Sequence, residues 1–299
     1  MKTLLFIYNP AAGKGRVTGA MGEIVTAFQR EDWLVTLYAT RSRGDGVRMV
    51  GELGGGYDRI VCCGGDGTLS EVVTGLIHSG LREKPLGYLP AGSTNDFSKT
   101  LGLPVQLGRA AEIAAAGEPF GCDMGRFNED HIFVYVAAFG IFTRASYDTP
   151  QEMKQILGHA AYVLSGLRSL SEVTSYHMRV EHDGQVEEGD FIYGMVSNSV
   201  SVGGFSGMKD NEVILDDGKF EVLLIRSPTS LPELNAVLTA IIARTPTDKV
   251  LSFQASRLRL HCDQSVAWTL DGEFGGEHMD VDIDVMLQAV RMIRGGDLP

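Results

Sequence analysis

Three short segments early in this 299-residue chain carry the residue types that bind phosphate. Asn9-Pro10-Ala11-Ala12-Gly13-Lys14-Gly15-Arg16 offers small residues, accessible peptide N–H groups and two cations. Placed ahead of a helix N-terminus, such a loop suits an anion. It is neither a Walker A loop nor a correctly spaced G-x-G-x-x-G, and a flexible turn with solvated charges accounts for it equally well. Gly64-Gly65-Asp66-Gly67-Thr68 is more telling. Its three glycines permit a tight turn and close approach of a nucleotide, and Thr68 is expected to cap the next helix. Asp66 has no evident packing role among them and could bind a metal or sit near a transferred phosphate. A plain strand-to-helix turn is the alternative, but the string is far rarer than a lone glycine pair. In Pro90-Ala91-Gly92-Ser93-Thr94-Asn95-Asp96-Phe97, the polar trio could bond adenine, ribose or phosphate, and Asp96 adds a carboxylate. A helix N-cap with nothing bound has the same composition.

Two acidic turns stand in the second half. Asp216-Asp217-Gly218 reads as a hairpin turn or as an oxygen-rich site for a hard cation such as Mg²⁺. Asp271, in the turn leaving the Ala267–Leu270 run, is a candidate base for a hydroxyl nucleophile. From the residues alone, Trp268-Thr269-Leu270-Asp271-Gly272 is better explained as an ordinary Asp-Gly hairpin. His159, His177, His182 and His261 have no ligand spacing, and Met153, Ile156, Leu157 and Tyr162 at helical spacing read as core.

The elements that must hold these residues alternate at first. Strands are expected at Leu4–Tyr8, Trp33–Ala39, Arg59–Cys63 and Leu86–Leu89, with helices over Thr18–Gln29, Gly46–Leu53, Leu69–His78 and on through Ala116. Repeated strand, glycine turn and helix predict βαβ units and a mostly parallel sheet. After Asp123 the pattern turns to an arm over Arg126–Phe142 and a helix over Gln155–Leu170. Strands follow at Tyr176–Glu181, Asp190–Ser197, Phe220–Ile225, Leu251–Leu260, Ala267–Leu270 and Met279–Ile283, with one helix at Leu231–Ala243. The expected organisation is an N-terminal Rossmann-like α/β domain over residues 1–123, joined by the returning 286–299, and an antiparallel β-sandwich over 124–285. Ligands of open α/β sheets sit beyond the carboxyl ends of the strands, so a cleft between the domains is the expected site.

Composition narrows the classes. Hydrophobic residues are 44% and charged residues 21%, an ordinary globular balance. A net charge of -12 with no basic run argues against nucleic-acid binding. The four cysteines form no C-x-x-C, which removes the zinc reading and fits a reduced compartment. The N-terminal apolar run is too short for a signal segment, and Ile132–Phe142 is shorter than the roughly 18–20 residues of a membrane span. The expectation is a cytoplasmic protein, at most attached to a membrane surface.

Asn9-Pro10 with Gly13-Lys14, then Gly64-Gly65-Asp66-Gly67-Thr68, then Gly92-x-x-Asn95-Asp96-Phe97, in this order and spacing, resemble the diacylglycerol kinase catalytic family. Leu215-Asp216-Asp217-Gly218-Lys219-Phe220 and Asp271-Gly272-Glu273 resemble its later signatures, so the likeness spans nearly the whole chain and is greatest to the soluble bacterial lipid kinases. The glycine string is shared with NAD kinases and sphingosine kinases, and the later signatures narrow the match. The resemblance implies an ATP site lined by Asn9, Pro10, Gly13, Lys14, Thr40, Gly64, Gly65, Asp66, Gly67, Thr68, Leu69, Ser70, Ser93, Thr94 and Asn95. Relatives usually carry threonine where Ser93 stands, and a hydroxyl is retained. It implies that Asp66 holds the catalytic Mg²⁺ and that Asp217, with the carbonyls of Ile214 and Lys219, holds a structural Mg²⁺. Asp96 and Asp123 would support that network, and Asp271, with Glu273 in its signature, would be the base. The implied partners are ATP and a diacylglycerol-like lipid. A water-soluble enzyme with a membrane-held substrate must touch the membrane surface transiently, for which Phe205 in the Gly203–Gly207 loop and Met208 just after it are the candidate contacts, and a homodimer is a possible assembly. The alternatives are NAD kinase chemistry and a non-catalytic lipid or nucleotide sensor.

Overall fold

The computed structural model describes residues 1–141, 173–200, 213–243 and 245–294. The helix expected over Gln155–Leu170, with Met153 and His159, and the Gly203–Gly207 loop with Met208 lie outside the described residues. The chain divides into two compact units, Met1–Met124 with Leu287–Pro299, and Gly125–Met286.

In the first unit the elements run β1 (Lys2–Tyr8), α1 (Arg16–Arg30), β2 (Trp33–Ala39), α2 (Asp45–Leu53), β3 (Arg59–Gly64), α3 (Asp66–His78), β4 (Pro85–Pro90), α4 (Asp96–Thr100) and α5 (Leu107–Ala116). The strands lie in the order β4-β3-β1-β2, all parallel. Leu4, Leu5, Phe6 and Ile7 are all fully buried, so both faces of β1 are covered, as a parallel sheet requires. Leu4, Phe6, Val61, Cys63 and Leu89 face Ile24 and Phe28 of α1 and Ala110, Ala111 and Ala114 of α5. The opposite face takes α2 and α3, packed so closely that a Cβ on Gly75 would stand 2.8 Å from the Val50 side chain. Because β2 and β3 flank β1 on opposite sides, the connections diverge at the carboxyl ends of β1 and β3, where α/β sheets bind ligands.

α3 begins at Asp66, three residues before the expected Leu69. Its N-cap is Gly65 and makes no side-chain bond, so Thr68 lies inside the first turn instead of capping it. The glycine turn is therefore only Gly64 and Gly65. A Cβ on Gly64 would run into the Thr68 side chain, which is why that position is glycine.

The second unit is antiparallel. β5 (Pro119–Phe127) leads into it and pairs with β6 (His131–Phe133). β7 (Val136–Gly140), β8 (Tyr176–His182), β9 (Gln185–Ser197), β10 (Phe220–Arg226), α6 (Leu231–Ala243), β11 (Val250–Ala255), β12 (Arg257–Leu270) and β13 (Glu273–Ile293) follow. β9 and β12 are long enough to pair with β8 along one half and with β7 along the other. The core is aromatic: Trp268, 1% exposed, meets Phe139 at 4.9 Å and Phe127 at 5.2 Å between ring centroids. Trp268→Ala would cost roughly 3–5 kcal/mol.

Two expected strand limits change. The expected Leu251–Leu260 strand is two, because Asp183 accepts the Ser256 N–H at 3.2 Å and hydroxyl at 2.9 Å and pins a break there. The expected Met279–Ile283 strand is the middle of β13, whose Arg291 and Met292 pair with Pro85 and Leu86 inside the first unit.

Candidate active site

β1, β3 and β4 are parallel, so their following turns emerge at one edge, and the turns touch. The Asn9 N–H donates to Cys63 O at 2.9 Å, and Ala91 and Gly92 N–H donate to Gly64 O at 2.8 and 3.2 Å. A Cβ on Gly92 would stand 2.5 Å from Gly65 Cα and 2.7 Å from Asn95 Oδ1, and one on Gly13 would stand 2.5 Å from Ala91 O. Glycine at these positions is thus a condition for the three turns to meet.

Gly13, Lys14 and Gly15 are consecutive left-handed residues with φ of 59°, 58° and 87°. For a lysine that conformation costs on the order of 1 kcal/mol, the kind of local strain that clusters at functional sites. Asn9 Oδ1 accepts the Ala11 N–H at 2.9 Å in a local turn at the start of the loop, and Pro10 is exposed. Thr40 N–H donates to Tyr8 O at 2.9 Å, bringing Thr40 to the end of β1. Leu69 is fully buried and offers only its backbone, whereas Gly67, Thr68, Ser70 and Thr94 are half-buried and Ser93 is exposed.

Asp66 has a structural partner after all. Its carboxylate accepts the N–H groups of Asp96 at 3.3 Å and Phe97 at 3.5 Å, so the first residue of α3 caps α4. Asn95, left-handed at φ 49°, closes on Gly92 in both directions at 2.8 Å. Asp96 is 1% exposed and pairs with Lys99 at 3.0 Å. Asp123 is fully buried and accepts the Gln288 N–H at 2.6 Å, bracing the returning C-terminal strand. Peptide donors and cations beside paired carboxylates can hold a polyphosphate with its divalent ion. Burial keeps the neighbouring thiols protonated: it lifts Cys62 well above the usual thiol range and pushes Cys63 up to about 12.

In the second unit Asp271 and Gly272, at φ 52° and 82°, form the two-residue turn between β12 and β13 that the Asp-Gly pair favours. The Asp271 carboxylate nevertheless folds inward. It is 6% exposed and accepts the N–H groups of Val134 at 2.8 Å, Tyr135 at 3.0 Å and Val136 at 3.3 Å. A buried anion is tolerable only with such donors, and they fix it in place. Glu273 beyond the turn is exposed. Asp217 Oδ1 accepts the Lys219 N–H at 3.0 Å on an exposed turn that also carries Ile214. One carboxylate with main-chain carbonyls suits a hydrated Mg²⁺ by donor type. Among the described residues no group of three or more His, Cys, Asp or Glu gathers around a metal position.

Several contributors carry no motif. Glu71 of α3 accepts the N–H groups of Gly44 at 2.7 Å and Gly46 at 2.9 Å, capping α2, whose own N-cap makes no side-chain bond. Asp45 accepts the Tyr38 hydroxyl and the Arg41 N–H, both at 2.9 Å, which ties the loop after Thr40 to α2. The Tyr88 hydroxyl lies 3.3 Å from Gly64 O and 3.4 Å from Asn95 Oδ1, linking two of the turns. An apolar run with a tyrosine in it gives no sign of that reach.

The chain belongs to the diacylglycerol kinase catalytic domain family, which matches residues 3–127, and residues 136–294 match the YegS C-terminal NAD kinase beta sandwich-like domain. It is a kinase, of the lipid-kinase kind. It is 30% identical over 279 residues to a diacylglycerol kinase of Staphylococcus carnosus, covering 92% of this chain and 90% of that one. It is 30% identical over 280 residues to one of Bacillus subtilis, covering 92% and 91%. A crystal structure of a provisionally named diacylglycerol kinase from Bacillus anthracis superposes with a TM-score of 0.84 at 25% identity, over 99% of this chain and 97% of that one. No described helix is long and apolar enough to cross a membrane.

Proposed function

We propose that the protein transfers the γ-phosphoryl group of ATP to the hydroxyl of diacylglycerol or a closely related lipid, giving phosphatidic acid or its analogue. The observation that supports this best is the meeting of the three turns around Asp66 at the carboxyl ends of β1, β3 and β4. The catalytic names of the relatives and the donors around Asp271 agree with it.

Asn9, Pro10, Gly13, Lys14 and Thr40 receive the nucleotide together with Gly64 to Ser70 and Ser93 to Asn95. Peptide N–H groups and the Lys14 ammonium meet the phosphate oxygens. Asp66 would hold Mg²⁺, which when bound would supply charge neutralisation for the phosphoryl group. Asp271 accepts the proton of the lipid hydroxyl as its oxygen bonds to the γ-phosphorus; the bond from that phosphorus to the bridging oxygen breaks, and ADP leaves. Asp217 with the carbonyls of Ile214 and Lys219 would hold a second, structural Mg²⁺, Asp96 and Asp123 are the proposed supporting residues, and Glu273 would assist the base. The enzyme works in the cytoplasm and touches the membrane while it turns over, and a homodimer is its proposed assembly.

Incubation with ATP and Mg²⁺ and a panel of monoacyl, diacyl and sphingoid lipids, with products identified by mass spectrometry, tests this. Phosphorylated diacylglycerol is expected. Phosphorylation of NAD instead, or of nothing, would refute it.

A further inference from the structure

We infer that Ser197 is a positioning residue for Asp271, acting through the peptide group between Tyr135 and Val136; this rests on the reading of Asp271 as the base. Ser197 stands at the end of β9, directly opposite Val136 of β7. It is fully buried where a sheet core ordinarily carries an aliphatic side chain, and with Asn198 and Ser199, 0% and 1% exposed, it makes a polar run inside the unit. Polar groups so placed are costly unless they are bonded.

The bonds converge on one peptide. Ser197 Oγ donates to Tyr135 O at 2.8 Å, and the Asn198 N–H donates to the same oxygen at 2.9 Å. The N–H of that peptide belongs to Val136, and it donates to Asp271 Oδ1 at 3.3 Å. The Ser199 N–H donates to Ser197 Oγ at 3.1 Å, which orients the hydroxyl. Donors placed on a carbonyl polarise its peptide and strengthen what its N–H donates. The chain of contact therefore runs from the Ser197 hydroxyl to the peptide and then to the carboxylate. Ser197 touches neither the lipid nor the nucleotide in this scheme. It holds fixed the strand that fixes the base, and small losses of alignment at a reacting group are expensive in rate.

The test compares Ser197→Ala, Ser197→Thr and Asp271→Asn in full-length protein, by steady-state kinetics with ATP, Mg²⁺ and diacylglycerol in mixed micelles. Ser197→Ala is expected to lower kcat about tenfold, with KM for ATP unchanged, and Ser197→Thr, which keeps the hydroxyl, is expected to restore most of the loss. Two results overturn the inference while leaving the base in place: an unchanged kcat in Ser197→Ala beside an inactive Asp271→Asn, or equal impairment of the alanine and threonine variants. Full activity in Asp271→Asn would instead remove the base assignment and this inference with it.

Discussion

The carboxylate of Asp66 receives the backbone N–H of Asp96 at 3.3 Å, so the glycine turn after β3 and the polar turn after β4 are fastened to each other by the residue expected to serve the phosphates. One side chain thus has a structural and a chemical assignment, and the two can be separated. Asp66→Asn keeps an oxygen for capping α4 but loses the charge. It should leave stability within about 1 kcal/mol of the parent and lower turnover at least ~100-fold. Turnover near the parent value would show that the carboxylate is only a cap.

Asp271→Asn should cut kcat at least ~100-fold, the ordinary share of a general base, while leaving ATP affinity nearly intact. Calorimetric titration with a non-hydrolysable ATP analogue measures the second part. Equal loss of nucleotide binding and turnover would point to a misfolded protein instead of a missing base.

Gly92→Ala introduces a methyl group 2.5 Å from Gly65 Cα. Backbone cannot yield as a side chain tip can, so the turns must part. A stability loss of about 1–3 kcal/mol is expected, together with weakened nucleotide binding. Gly55→Ala, whose Cβ would meet nothing within 4 Å, is the control and should bind nucleotide normally. Normal binding by Gly92→Ala would mean that the contact of the turns is irrelevant to the nucleotide.

How far this was legible from sequence depends on the range of each interaction. Leu4–Ile7 and Ile60–Cys63 are readable because a strand covered on both faces must be apolar throughout. The Asn9, Gly64 and Gly92 turns were readable because glycine is demanded by backbone approach. Thr68 reads as a cap because a hydroxyl after glycines has that appearance whether or not the helix has already begun, and here it has. Asp271 looked like a hairpin turn and is one; its second property, burial against Val134 to Val136, depends on residues about 136 positions away in the chain. Glu71 and Ser197 gave no signal for the same reason, since their partners are peptide groups and every residue has one.

The second unit should weaken as pH rises through neutrality. His177 sits 2.9 Å from Asp190 and His261 2.6 Å from Asp280, and these hydrogen bonds raise both imidazoles above their usual value. A group raised in the folded state contributes stability fully below its unfolded value of about 6.5 and loses it as pH passes the raised one. The thermal midpoint of the parent should therefore fall more steeply from pH 6 to 8.5 than that of a His177→Gln, His261→Gln double variant. Identical slopes would contradict the assignment.

Removing the proposed structural ion should not unfold the chain but should change how the enzyme uses Mg²⁺. Asp217→Ala is expected to need roughly tenfold more Mg²⁺ for half-maximal turnover, with little change in thermal midpoint, because the turn is exposed. An unchanged Mg²⁺ dependence would leave Asp217 with its Lys219 bond alone.

The most direct measurement supplies γ-labelled ATP and Mg²⁺ to the protein with diacylglycerol micelles in one tube and NAD in another. The account predicts label in phosphatidic acid, abolished by Asp66→Asn and by Asp271→Asn, and none in the dinucleotide. Label in the dinucleotide, or in neither acceptor with active protein, would contradict it.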